Sequence, residues 1–138
     1  MESIVSTPFY AISIDRNKNR LYVKFMNDWA NPNDVKNAPA DMERAVKQMR
    51  PGFSVLSDAS EVKIILVPNI IKGIQAAVAK GAPSKVASVW SDHILTQLQA
   101  ASTAGQVGTD YSKARKNFVS IEEALAWLDG VSQSAMAC

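Results

Sequence analysis

Cysteine is almost missing from this 138-residue chain: there is one, and it is the last residue, Cys138. A disulfide within the chain is therefore excluded, and a thiol in that position, without fixed neighbours, is not expected to act as a nucleophile. Histidine is equally scarce, with His93 standing alone. One imidazole and one tail thiol cannot make a zinc ligand set, so no metal is expected. An excess of charge is lacking too: 15 Lys and Arg against 13 Asp and Glu leave a net +2, without the basic stripe that nucleic-acid binding calls for. Apolar runs such as Ile64–Val67 fall far short of the ~20 residues of a membrane span. Met1–Phe9 carries no basic flank followed by an apolar run, so no signal peptide is expected and the cytoplasm is the default location. No Walker pattern or Gly-x-Gly-x-x-Gly follows a strand. Gly105-Gln106-Val107-Gly108 comes after a helix, which is the wrong context for cradling phosphate, and no cofactor is expected.

What remains is an ordinary composition, 47% hydrophobic and 20% charged, in a chain long enough to bury a core without staples. Phe9–Ile14 and Leu21–Met26 are rich in aromatic and β-branched residues, and Asp15–Arg20 between them suits a turn; the pair reads as an antiparallel hairpin. Asn27–Ala38, with four Asn, two Asp and Pro32, reads as a loop holding Trp29. Pro39 then opens a helix in which Met42, Ala45, Val46 and Met49 make one apolar stripe, and Arg50-Pro51-Gly52 ends it. Phe53–Ser57 reads as a strand, followed by the short apolar run Val62–Val67. A helix from Pro68 to Lys80 comes next, stopped by Gly81. Lys85–Trp90 is the next strand, and Ser91 or Asp92 caps a helix ending at Gly105. Gln106–Lys113 is a loop, Ala114–Val119 a last strand, and Ser120-Ile121-Glu122-Glu123 a capping box before a final helix ending at Gly130.

The order is thus β-β-α-β-α-β-α-β-α. It implies an α/β domain whose mixed sheet has an antiparallel N-terminal hairpin and parallel later strands joined by helices. One domain, 1–138, is expected, with residues 1–8 and 131–138 as frayed tails.

Catalytic constellations are thin. His93 sits beside Ser91 and Asp92, but adjacent residues lack the opposed geometry of a triad. Asp58 or Asp92 remains as an acid/base candidate only. The tryptophans are more informative. Trp127 lies inside the apolar stripe Ala124–Leu128 and reads as core. Trp90 ends a parallel strand, where open α/β sheets place their binding crevices. Trp29 lies in a polar loop, where an aromatic can mark a contact surface. If a small ligand binds, the C-terminal ends of the parallel strands are the expected place, around Asp58, Asn69 and Trp90, with Val67 and Ile70 as an apolar wall.

From Asp58-Ala59-Ser60-Glu61-Val62 onward the pattern resembles the STAS fold of anti-sigma-factor antagonists, and within it the SpoIIAA-like or STAS/SEC14-like branch of small bacterial proteins. The hairpin Phe9–Phe25, the phrase Pro51–Asp58 and the close Phe118–Leu128 carry the resemblance, which covers about Phe9 to Asp129. In the regulatory branch an Asp-x-Ser-x-Val segment precedes an Asp-Ser-Ser-Gly at the start of the second helix, where a partner kinase phosphorylates serine. Asp58, Ser60 and Val62 match the first segment. The second is replaced by Leu66-Val67-Pro68-Asn69, with both hydroxyls gone, so a phosphate switch is not implied here. The resemblance implies a non-catalytic module acting on a protein partner or by self-association, lacking the phosphoacceptor serine. The apolar helix start at Val67, Ile70 and Ile71 suits, as the alternative, a carrier or sensor of a small apolar or lipid-like ligand. An enzyme is the third reading.

Overall fold

The computed structural model of the protein describes residues 1–63, 65–90 and 114–130. The hairpin is present as strands β2 (Tyr10–Asp15) and β3 (Arg20–Phe25), paired antiparallel from Tyr10↔Phe25 to Asp15↔Arg20. Asp15 Oδ1 closes the turn by accepting from the amides of Asn17 and Lys18. Asn19 takes the positive φ of 52° there, which Asn tolerates better than most residues.

Beyond the hairpin come α1 (Pro32–Val35), α2 (Ala38–Val46), β4 (Ser54–Ala59), α3 (Pro68–Lys80), β5 (Lys85–Trp90), β6 (Arg115–Phe118) and α4 (Ile121–Leu128). Pairings β3–β4, β4–β5 and β5–β6 are all parallel. With strand β1 (Glu2–Ser6) antiparallel on β2, they form one six-stranded mixed sheet in the order β1-β2-β3-β4-β5-β6. The expected α/β architecture, antiparallel at its start and parallel after it, is therefore present.

Strand β1 corrects the expectation of a frayed tail over residues 1–8. The register slips between Ser3 and Val5. The slip lets two consecutive apolar residues, Ile4 and Val5, both pack against the core. An alternation interrupted in this way has no period of two to read. Two smaller differences are also local. The loop 27–38 contains α1, capped by Asn31, whose side chain accepts from the Asn33 amide at 3.0 Å. The helix read from Pro39 through Met49 ends at Val46. Gln48 and Met49 bond back to Ala45 and Val46 in a tightened last turn. The expected helix ending at Gly105, the loop 106–113 and the tail 131–138 lie outside the described residues.

Alternation within the strands divides the core between two faces. Ile12, Ile14, Leu21, Val23, Phe25, Val55 and Val86 lie under α2 and α3. Leu56, Ala87, Val89 and Phe118 lie under α4, which supplies Ala124 and Leu128. Gly81 follows α3 at the seam with α2. A Cβ there would stand 2.5 Å from Val46 Cγ1 and 2.7 Å from the Phe53 ring, so close approach rather than backbone freedom demands glycine. On the other face Ser120 caps α4, its Oγ accepting from the Glu123 amide at 3.4 Å.

Candidate functional site

The residues singled out from the sequence do lie toward the C-terminal ends of the parallel strands, yet the strand register separates them. Asp58 pairs with Val89, whereas Trp90 pairs with Ala59. Asp58 thus shares the face of Leu56, on the α4 side, and Trp90 shares the face of Val55 and Val86, under α3. Among the described residues the two side chains therefore leave the sheet on opposite faces.

Each has its own local role. Asp58 Oδ1 accepts from the Ser60 amide at 3.0 Å and from Ser60 Oγ at 2.6 Å, a turn that closes β4. Trp90 is 6% exposed. Its Nε1 donates to Asn117 Oδ1 at 2.9 Å, and the Arg115 guanidinium lies 5.5 Å from its ring centroid. Asn69 is exposed in the first turn of α3, after a Val67 that occupies the cap position with no side-chain acceptor. Val67 is buried, and Ile70 is half-buried against the core.

Trp29 is a core residue, not the surface contact that its polar loop suggests. It is 1% exposed, lies edge-on to Phe25 with centroids 5.0 Å apart, and donates from Nε1 to the Phe9 carbonyl at 3.0 Å. Its backbone bridges Ile65, and its carbonyl accepts from the Leu66 amide at 2.8 Å. The asparagine-rich segment and the chain entering α3 are thereby tied together.

Two polar groups inside the protein escaped the sequence reading. Ser57 and Ser88 are register partners on the face under α3, and with Gln75, Arg115 and Trp90 they line a cavity of about 40 Å³. Gln75 stands four residues after Ile71 and three before Val78, so helical spacing already puts it on the buried face. At the opposite end of the sheet Arg20 is buried. Its Nε donates to Ser54 Oγ at 2.9 Å and its Nη2 to Asp129 Oδ1 at 2.8 Å. The guanidinium holds the Asp129 carboxyl below the usual carboxylate range. Lys85 Nζ donates to the Trp127 carbonyl at 2.8 Å, a cation placed where the α4 dipole is negative. These contacts fasten the C-terminus of α4 to the sheet. Trp127, between Phe118 and Lys85, is half-buried and packs against the cluster under α4 rather than within it.

No protein-family model matches the chain, and no curated protein sequence does so at a significant level. Solved structures do. An uncharacterised protein of the DUF3478 family with a SpoIIAA-like fold, from Shewanella loihica PV-4, superposes with a TM-score of 0.59 at 18% identity, covering 90% of this chain and 97% of that one. The anti-sigma factor antagonist SpoIIAA in its unphosphorylated form superposes with a TM-score of 0.58 at 9% identity, covering 90% and 99%. The fold is SpoIIAA-like. At such identities the likeness concerns the path of the chain and not the side chains. Within this SpoIIAA-like fold the start of α3 is Leu66-Val67-Pro68-Asn69, four residues without a hydroxyl. Among the described residues no helix is long and apolar enough to cross a membrane, and no three His, Cys, Asp or Glu side chains gather.

Proposed function

We propose that this protein is a non-catalytic SpoIIAA-like module that acts by binding a protein, another molecule or a second copy of itself, in the cytoplasm and without a phosphoserine switch. The observation that carries this reading is the start of α3. There Leu66 is 56% exposed beside an uncapped helix end formed by Val67, Pro68 and exposed Asn69. An exposed leucine at a helix start that offers no phosphoacceptor favours a constitutive apolar contact over a charge-gated one. Further support is the separation of Asp58 from Trp90 on opposite faces, which keeps these two candidates out of one catalytic set. A lipid-like ligand finds less support: the cavity of about 40 Å³ stands against the ~300 Å³ and more of ordinary ligand pockets.

Native mass spectrometry of the purified protein tests the reading, alone and after mixing with cell extract. A dimer, or a stoichiometric protein complex, that is lost in Leu66→Asp while the melting temperature holds, is the expected result. A monomer carrying a bound small apolar molecule would favour the alternative.

A further inference from the structure

The sheet face under α3 is apolar except at one place. Ser57 and Ser88 sit side by side there, Gln75 reaches in from α3, and Arg115 lies at the margin. Gln75 is 7% exposed, and its Oε1 has no hydrogen-bond partner among the described residues. Ser88 Oγ accepts from Arg115 Nε at 3.2 Å, so the hydroxyl proton remains for donation. The cavity therefore holds an acceptor that needs a donor and a donor that needs an acceptor. Leaving a buried polar atom unmatched is costly, and such atoms in native proteins are nearly always satisfied.

Chemistry and size narrow the occupant. An anion would face the unmatched Gln75 oxygen, and a cation would face the Ser88 hydroxyl proton, so neither suits the pair. A neutral hydroxylic molecule answers both groups, donating to Gln75 and accepting from Ser88. Turning the Gln75 amide over changes only the direction of one bond, because water accepts as readily as it donates. The volume of about 40 Å³ leaves room for about three waters, each needing roughly 10–15 Å³. We propose that this cavity is an internal water site, in which ordered waters join Gln75 on α3 to Ser57 on β4 and Ser88 on β5.

The test uses the full chain labelled with nitrogen-15. In the wild type, water should give cross-relaxation peaks of the sign of a long-lived site to the Gln75 side-chain amide and to the Ser88 backbone amide. Gln75→Leu, which fills the cavity and removes the orphan oxygen, should abolish the peak to the Ser88 backbone amide while leaving amides on the α4 face unshifted. Gln75→Met serves in the same way if the leucine variant does not fold. Peaks that persist in these variants would come from exchanging serine hydroxyls, and the proposal would fall. It would also fall if the wild type showed no such peaks and xenon under pressure shifted the Ile74 and Val86 methyls, the mark of a dry void. A bound species heavier than water, seen by native mass spectrometry and lost in Gln75→Leu, would overturn it as well.

Discussion

Replacing Trp29 separates a core residue from a binding residue. The indole lies between Tyr10 and Phe25, with centroids 5.9 and 5.0 Å away, and its Nε1 bonds to the Phe9 carbonyl. Truncating such a tryptophan to alanine costs about 3–5 kcal/mol in transfer and cavity terms. Trp29→Phe is gentler. It keeps most of the aromatic contact and gives up a hydrogen bond worth about 1 kcal/mol net. The Phe9 carbonyl is not stranded by that change, because the Met26 amide also donates to it at 2.9 Å. The expected losses are therefore about 4 kcal/mol for alanine and 1–2 for phenylalanine, against the 5–15 typical of a domain. Urea titration followed by circular dichroism measures both. With a slope of about 2 kcal/mol per molar, the midpoint should fall by about 2 M in Trp29→Ala and by less than about 1 M in Trp29→Phe, at unchanged slope. A loss under about 1 kcal/mol in the alanine variant would refute the packing account and restore Trp29 as a contact residue.

Gly81→Ala should destabilise by about 1–3 kcal/mol, since the new methyl meets Val46 and the Phe53 ring and both are buried; a neutral result in the same titration would mean that the α2–α3 seam opens easily. Asp129, whose carboxyl is held low by Arg20, stabilises the fold above its unfolded pKa of about 4, and that contribution disappears as the pH falls through its lower folded value. Melting curves of wild type and Asp129→Asn should therefore differ at neutral pH and converge in acid; parallel curves would contradict the ion pair's role. Tyr10 donates to Asp41 Oδ2 at 2.5 Å, and burial together with that carboxylate pushes its pKa up. Its share of stability is complete below about pH 10 and declines above it, so Tyr10→Phe should flatten the alkaline loss of stability. Phosphopeptide mapping of protein isolated from cells should find no phosphate over residues 66–69; phosphate on Ser57 or Ser60 would mean that the switch has moved, and would restore a regulated reading.

The hairpin, the three longer described helices and the later strands were legible because each carries a clean period and its own punctuation, as at Pro68, Gly81 and Ser120. Strand β1 was not, because its bulge puts Ile4 and Val5 on neighbouring positions that alternation would send to opposite faces. Trp29 misled for a different reason. Its neighbours in sequence are polar, while its neighbours in space, Tyr10, Phe25 and Ile65, come from three other segments. The candidate site is divided by parity: Asp58 and Trp90 end adjacent strands, but a pairing of Ala59 with Trp90 turns their side chains apart, and register is invisible until strands are paired. Gln75 was readable in principle from its helical spacing. What the spacing does not disclose is that two serines of different strands line the same cavity.

Because each strand of the sheet lies beside its predecessor in the chain, a ribosome delivers the strands in the order in which the sheet needs them. The strand pairing of the antiparallel part, complete by Phe25, requires nothing made later. Synthesis at about 5–20 residues per second then leaves the far edge of β3 open for about 2–7 s before β4, ending at Ala59, emerges to close it. Similar waits recur at β4 and β5. At every stage one unpaired edge leads the nascent chain, and that edge, shifting outward strand by strand, is where a chaperone or a neighbouring polysome product would take hold.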